Sequence, residues 1–195
     1  MSEKYLIEGL DPEKYENILF QPRTGTQMKK ATLHRAPIYL YSDLCKEADR
    51  IGSMRMLANM AKRSNWNIIL LQDPSDMRSG HWLCIVFVPR KRSIYFFSSY
   101  GKKPDVEKVK WLPADELLAS HQKNNIFNDG LRDFQRKNWT IHYNDHAYQK
   151  YGEHTATCGI YVAAFIRSGL NPDEFLKRHE GMHLTPKHYY DMYFR

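Results

Sequence analysis

Cys158 and His81 are the residues whose types could furnish a nucleophile and its base. Cys158 stands at a hinge within Gln149–Arg167, QKYGEHTATCGIYVAAFIR. Up to Thr157 this stretch is polar and turn-like, and Gly152 permits a sharp bend. From Gly159 onward, Ile160 to Ile166 are apolar on every side, the pattern of a buried helix. The spacing therefore predicts a cysteine where a loop enters a buried helix. Unsatisfied amides and the positive end of the helix dipole favour a thiolate there over a thiol. Such a cysteine becomes a nucleophile when a base lies near it. His81 fits that role, opening an apolar strand, HWLCIVFVP, directly after a glycine-containing polar turn. At a strand mouth solvent reaches the imidazole, and its neutral form can take a thiol proton. Each residue also has an ordinary reading. Most cysteines of a reducing compartment only pack, and one of nine histidines falls near a strand end by chance.

The elements that must position this pair alternate between helix and strand patterns. Asp11-Pro12-Glu13-Lys14 can start a short helix, and Gln21 to Thr32 reads as a polar, basic, exposed loop or arm. Ser42 can cap a helix running to about Arg50, and a second follows from Met54 to Lys62, its methionines serving as core filler. Trp66–Gln72 is a short β-rich apolar run, and Asp73–Gly80 is a polar turn. His81–Pro89 and Ser93–Ser98 flank Arg90-Lys91-Arg92 as a hairpin with its basic tip in solvent. Ala114–Ser120 reads as helix and Trp139–Tyr143 as strand. Asn171 caps a helix that starts with Pro172, and Thr185-Pro186 starts another. The fold class expected is α+β.

The 195 residues suit one domain, with 1–40 a peripheral N-terminal segment and 66–167 the core that carries the chemistry. Aromatic content of 13% suits a folded globule. No apolar run reaches the length of a membrane span, and the charged start MSEKYLIEGLDPEKYE does not read as a signal peptide. Cys45, Cys84 and Cys158 are an odd number without CxxC spacing, which points to reduced thiols inside a cell. Cys45 and Cys84 read as packing residues. His142, His146 and His154 with Cys158 match no zinc signature, so no metal site is expected. The net charge of +7 suits a weak, salt-sensitive attraction to nucleic acid.

The order of the motifs carries more than any one of them. His81-Trp82, after Gly80, begins one strand, Phe96-Phe97-Ser98-Ser99-Tyr100-Gly101 ends the next, and Cys158-Gly159 opens the buried helix after a glutamine-containing loop. Over residues 66–167 this resembles adenain, the adenovirus proteinase, and its relatives. These include the SUMO-specific (Ulp-type) proteases and the maturation proteases of large DNA viruses, virophages and Maverick-type transposons. The resemblance implies a cysteine-protease fold with a central mixed sheet packed on the helix that the cysteine heads. It implies Cys158 as nucleophile, His81 as general base, Gln149 as the side-chain donor of an oxyanion hole, and Trp82 beside the substrate.

Two positions depart from the family. Its third member is an Asp or Glu, and the matching residue here is Ser98. A serine can fix the imidazole tautomer but adds no charge to stabilise an imidazolium. Asp73, Asp76 and Asp145 are the carboxylates near enough in sequence to substitute, and the sequence does not choose among them. Gln149 also precedes the cysteine by a longer interval than is usual in these relatives. The activity implied is an endopeptidase cutting near small, Gly-type residues, of the capsid-maturation kind. It needs no cofactor, although DNA or a peptide could activate it. Its substrates would be virion polypeptides, met in the host cytoplasm, a virus factory or the virion. Two alternatives share the same residues: a deconjugase for a SUMO-like modifier, and an inactive module of the same fold that binds nucleic acid or serves a structural role.

Overall fold

A computed structural model describes residues 25–33, 36–72, 80–108, 117–118, 125–149 and 157–194. Five strands form one mixed sheet in sequence order: β1 (Ile38–Leu40), β2 (Trp66–Gln72), β3 (Gly80–Val88), β4 (Ser93–Ser98) and β5 (Thr140–Tyr143). β2, β3 and β4 are antiparallel neighbours, while β1 and β5 add in parallel at the two edges. Seven helices occur among the described residues: α1 (Gly25–Ala31), α2 (Tyr41–Ile51), α3 (Ser53–Arg63), α4 (Ile126–Arg136), α5 (Cys158–Ser168), α6 (Pro172–His179) and α7 (Pro186–Phe194). The α+β expectation holds at this level.

Side-chain alternation along the central strands divides the core into two layers. Trp82, Cys84 and Val86 of β3, with Tyr95 and Phe97 of β4, pack under α5, α6 and α7. Leu83, Ile85 and Phe87, with Ile94 and Phe96, pack under α2, α3 and α4. The middle strands are buried on both faces, so they read as continuous apolar runs. From Cys158 to Ile166 every residue of α5 is buried, and Phe165 stacks on Phe97 at 4.4 Å between ring centroids. Burial on all sides is what an all-round apolar helix requires.

Several boundaries agree with the sequence, and three elements do not. β2 and β4 occupy the expected spans, and Asn171 forms a full capping box with Glu174 at the head of α6. The arm expected over Gln21–Thr32 is helical from Gly25. Met28 is fully buried in the α5 layer, and Arg167 donates to the Ala31 carbonyl at 2.6 Å, which ties the helix down. Helix α2 begins one residue before Ser42, after Leu40, with no side-chain cap. Helix α4 contains Asn128-Asp129-Gly130, a turn signature that masks its amphipathic face of Ile126, Phe127, Leu131 and Phe134. Gly130 is there because α4 presses on α3: a Cβ would stand 2.6 Å from Leu57 Cδ1 and 3.0 Å from the Ser53 oxygen. Of Ala114–Ser120 only Leu117 and Leu118 are described, both helical. The Asp11–Lys14 expectation and most of the 73–80 turn lie outside the described residues.

Candidate active site

The mouth of β3, the end of β4 and the head of α5 converge at one end of the sheet. His81 is the second residue of β3 and pairs with Leu71 of β2. It is fully buried, which corrects the expectation of a solvent-reachable imidazole; the Tyr100 ring covers it at 4.6 Å between centroids. His81 Nε2 lies 3.2 Å from Ser98 Oγ. The same nitrogen lies 3.5 Å from Oε2 of Glu107, a carboxylate that the sequence reading did not consider. Glu107 is 2% exposed. Asp145 is exposed, and Asp73 and Asp76 lie outside the described residues. Among the described residues, Glu107 is therefore the carboxylate that meets the imidazole.

Cys158 begins α5 and is 5% exposed. Burial alone would push the imidazole pKa down. The hydrogen bonds that its ring N–H groups can donate to Cys158 and Glu107, and the negative charge each of those can carry, outweigh burial and lift His81 from its ordinary 6.5 to about 9. An imidazolium flanked by a thiol and a carboxylate is the electrostatic arrangement that activates a cysteine. Burial, with the same two charges, pushes the Tyr100 phenol up to about 12, so it stays a neutral hydroxyl at ordinary pH.

Gln149 reaches the site despite its distance in sequence because two clamps deliver it. Asn144, buried, accepts from the Ser98 amide at 2.8 Å and donates to the Ser98 carbonyl at 2.6 Å and to the His146 carbonyl at 3.0 Å. The Ser99 carbonyl then accepts from the amides of Tyr148 and Gln149 at 2.8 and 3.2 Å. The contact is close enough to demand Gly101, where φ is +66° and a Cβ would stand 2.7 Å from the Asp145 oxygen. Gln149 is 7% exposed, and its Oε1 accepts from the hydroxyl of Thr157, immediately before the cysteine, at 2.7 Å. That bond fixes the amide's orientation. Nε2, a donor, is buried and has no well-aligned acceptor among the described residues, although the amide acts on the nearby Tyr100 hydroxyl.

Trp82, implied to lie beside a substrate, is 5% exposed and belongs to the core that includes Cys158. His142 lies 3.6 Å from Asp173 and edge-on to Tyr95, and His146 is exposed. No group of three His, Cys, Asp or Glu among the described residues is arranged to hold a metal ion. Cys45 and Cys84 are both fully buried; burial raises the Cys45 thiol to about 12 and the Cys84 thiol well above its ordinary value. Iodoacetamide at neutral pH should therefore modify Cys158 at least about tenfold faster than either. Peptide mapping against time checks this, and equal rates at all three would remove the case for an activated Cys158.

No known protein-family profile matches the chain. The chain is similar to "Uncharacterized protein V9" of the Sputnik virophage, 32% identical over 99 residues that make up 50% of this chain. Those residues span 54% of the virophage protein, so the likeness extends to about half of that relative's length.

Proposed function

We propose that the protein is a cysteine endopeptidase of the adenain-like kind, cutting polypeptides near small residues during virion maturation. The observation that carries the reading is the buried His81 held between the Cys158 thiol and the Glu107 carboxylate. An inactive module would have no chemical need for a charged imidazole in that place. The similarity to a virophage protein supports a viral association.

The chemistry would run through a thiolate–imidazolium pair. With His81 Nε2 engaged by Ser98 and Glu107, Nδ1 is the nitrogen available to the Cys158 thiol. Cys158 Sγ attacks the scissile carbonyl carbon, and the carbonyl electrons move onto oxygen. Gln149 Nε2 and the Cys158 amide would receive that oxyanion, a stabilisation typically worth about 3 kcal/mol for one such donor. Collapse breaks the C–N bond, and His81 protonates the departing amine. Water then attacks the thioester with His81 as base, releasing the acid and restoring the pair.

A basic pole stands at the opposite end of the sheet. Lys62 and Arg63 close α3, Arg90 to Arg92 form the β3–β4 tip, and Arg136 and Lys137 end α4, all exposed. Arg92 binds the Lys137 carbonyl and its own carbonyl accepts from the Thr140 amide, which brings these segments together. Nucleic acid held there would activate or tether the enzyme and would not be its substrate. The test is hydrolysis of peptides and capsid proteins containing Gly-Gly, with and without DNA at low salt. Cleavage beside glycine is expected, and DNA should stimulate it at low salt and cease to do so as salt rises. No cleavage under any of these conditions would return the protein to the binding-module reading.

A further inference from the structure

We infer that Asp105 is a positioning residue of this site: its carboxylate, clamped between Tyr41 and the first turn of α4, holds the Pro104–Lys108 turn so that Glu107 meets His81. This rests on the preceding reading for its effect on turnover, but not for its effect on His81. Glu107 lies in a turn beyond the end of β4, and no strand register fixes its place. Lys102, Lys103 and Val106 are exposed, whereas Pro104, Asp105, Glu107 and Lys108 are buried. Side chains of opposite preference alternate here, so apolar packing cannot by itself set the turn.

Asp105 supplies what packing does not. One carboxylate oxygen accepts from the Asn128 amide at 2.7 Å, in the first turn of α4, where an acidic partner also suits the helix dipole. The other accepts from the Tyr41 hydroxyl. Asn128 returns a bond from Nδ2 to the Pro104 carbonyl at 2.7 Å, so the turn is held through its backbone as well. Tyr41 is 1% exposed and packs on Phe127 at 5.6 Å between centroids, which roots the clamp in the core under α2 and α4. Asp105 itself has φ +64°, a left-handed conformation that Asp, Asn and Gly tolerate better than other residues. Two residues later the chain delivers Glu107 to His81 Nε2.

The charged and titratable groups around each end are few. Asp105 faces Tyr41, Lys108, Cys45 and Tyr143, with Asp129 acting on Tyr41 and Lys108, and His81 faces Cys158, Glu107 and Tyr100 with Ser98. Asp105 acts on His81 only through Glu107, which yields a separable test. Asp105→Gly keeps the left-handed backbone and deletes the clamp, Asp105→Asn keeps the conformation and one acceptor, and Tyr41→Phe removes one bond while keeping the ring. In the full chain, the His81 ring titration is followed by NMR, and the Cys158 alkylation rate is followed against pH. Neither readout needs a substrate. Asp105→Gly should lower the His81 midpoint by about one pH unit, as Glu107→Gln should, and should add nothing in the double variant. Asp105→Asn and Tyr41→Phe should lower it by less. An unmoved midpoint in a folded Asp105→Gly variant overturns the inference, as does full additivity with Glu107→Gln. If Asp105→Gly does not fold, Tyr41→Phe decides on the same readout. A wild type that cuts nothing while these midpoints shift would sink the protease reading alone.

Discussion

Replacing Cys158 by alanine is expected to abolish hydrolysis of a Gly-Gly substrate, lowering kcat by at least about 10^4-fold. The magnitude follows from the chemistry. Without Sγ no acyl-enzyme forms, and only the donors of the proposed oxyanion hole and substrate binding remain to act on the peptide. Cys158 is buried at the head of α5, so its truncation leaves a small void. A methyl-for-thiol change of that size should leave the thermal midpoint within a few degrees of wild type. His81→Ala should lose a comparable factor, since nucleophile and base act as a unit. It removes a fully buried ring that packs on Tyr100, however, and its stability must be measured separately. Combining the two substitutions should cost little more than either one. Residual cleavage by Cys158→Ala within tenfold of wild type would mean that the activity lies elsewhere.

The parts of this arrangement that the sequence makes legible are those fixed by periodicity and by caps. Residues 158–168 form the expected buried helix because only a helix enclosed on all sides can be apolar all round. β2 and β4 are readable because short apolar β-rich runs end at polar turns. Ser98 comes to the imidazole because strand register puts it there: it pairs with Leu83, two residues beyond His81. Gln149 is legible in type, but its delivery depends on Asn144, on the Ser99 carbonyl and on Gly101, contacts that no spacing rule encodes.

Glu107 illustrates the other limit. A motif that assigns the orienting carboxylate to a strand end looks only at position 98, and finds a serine. The carboxylate that meets His81 comes instead from the following turn. Its placement depends on a left-handed turn at Asp105, which no glycine marks in the sequence, and on a partner helix, α4, whose Asn128-Asp129-Gly130 hides its helical pattern. The serine at position 98, where the motif it resembles has a carboxylate, and the unread helix α4 are thus one problem. The helix that masks itself as a turn anchors the turn that carries the carboxylate.

Glu107→Gln is accordingly the second large effect, about 10^3-fold in kcat, and it separates charge from geometry. Glutamine keeps an oxygen that can accept from His81 Nε2 but removes the negative charge, and losing the charge of a triad carboxylate costs up to about 10^4-fold. Ser98→Ala removes a 3.2 Å contact that carries no charge and should slow turnover only about five- to tenfold. The pH dependence gives the sharper signature. His81 is raised from 6.5 to about 9, so the charged ring's contribution to folding stability is complete below pH 6.5 and is lost as pH rises through about 9. Activity that needs the imidazolium should share that alkaline limit, falling as pH passes about 9 in wild type. Without the Glu107 charge burial regains ground, and the alkaline limb should move toward neutrality by about one pH unit. Ser98→Ala should leave the limb where it is. Profiles of kcat/KM against pH for the three proteins check both effects. A larger loss and a moved limb in Ser98→Ala, with Glu107→Gln near wild type, would make the strand-end serine the orienter and leave Glu107 a bystander in the core.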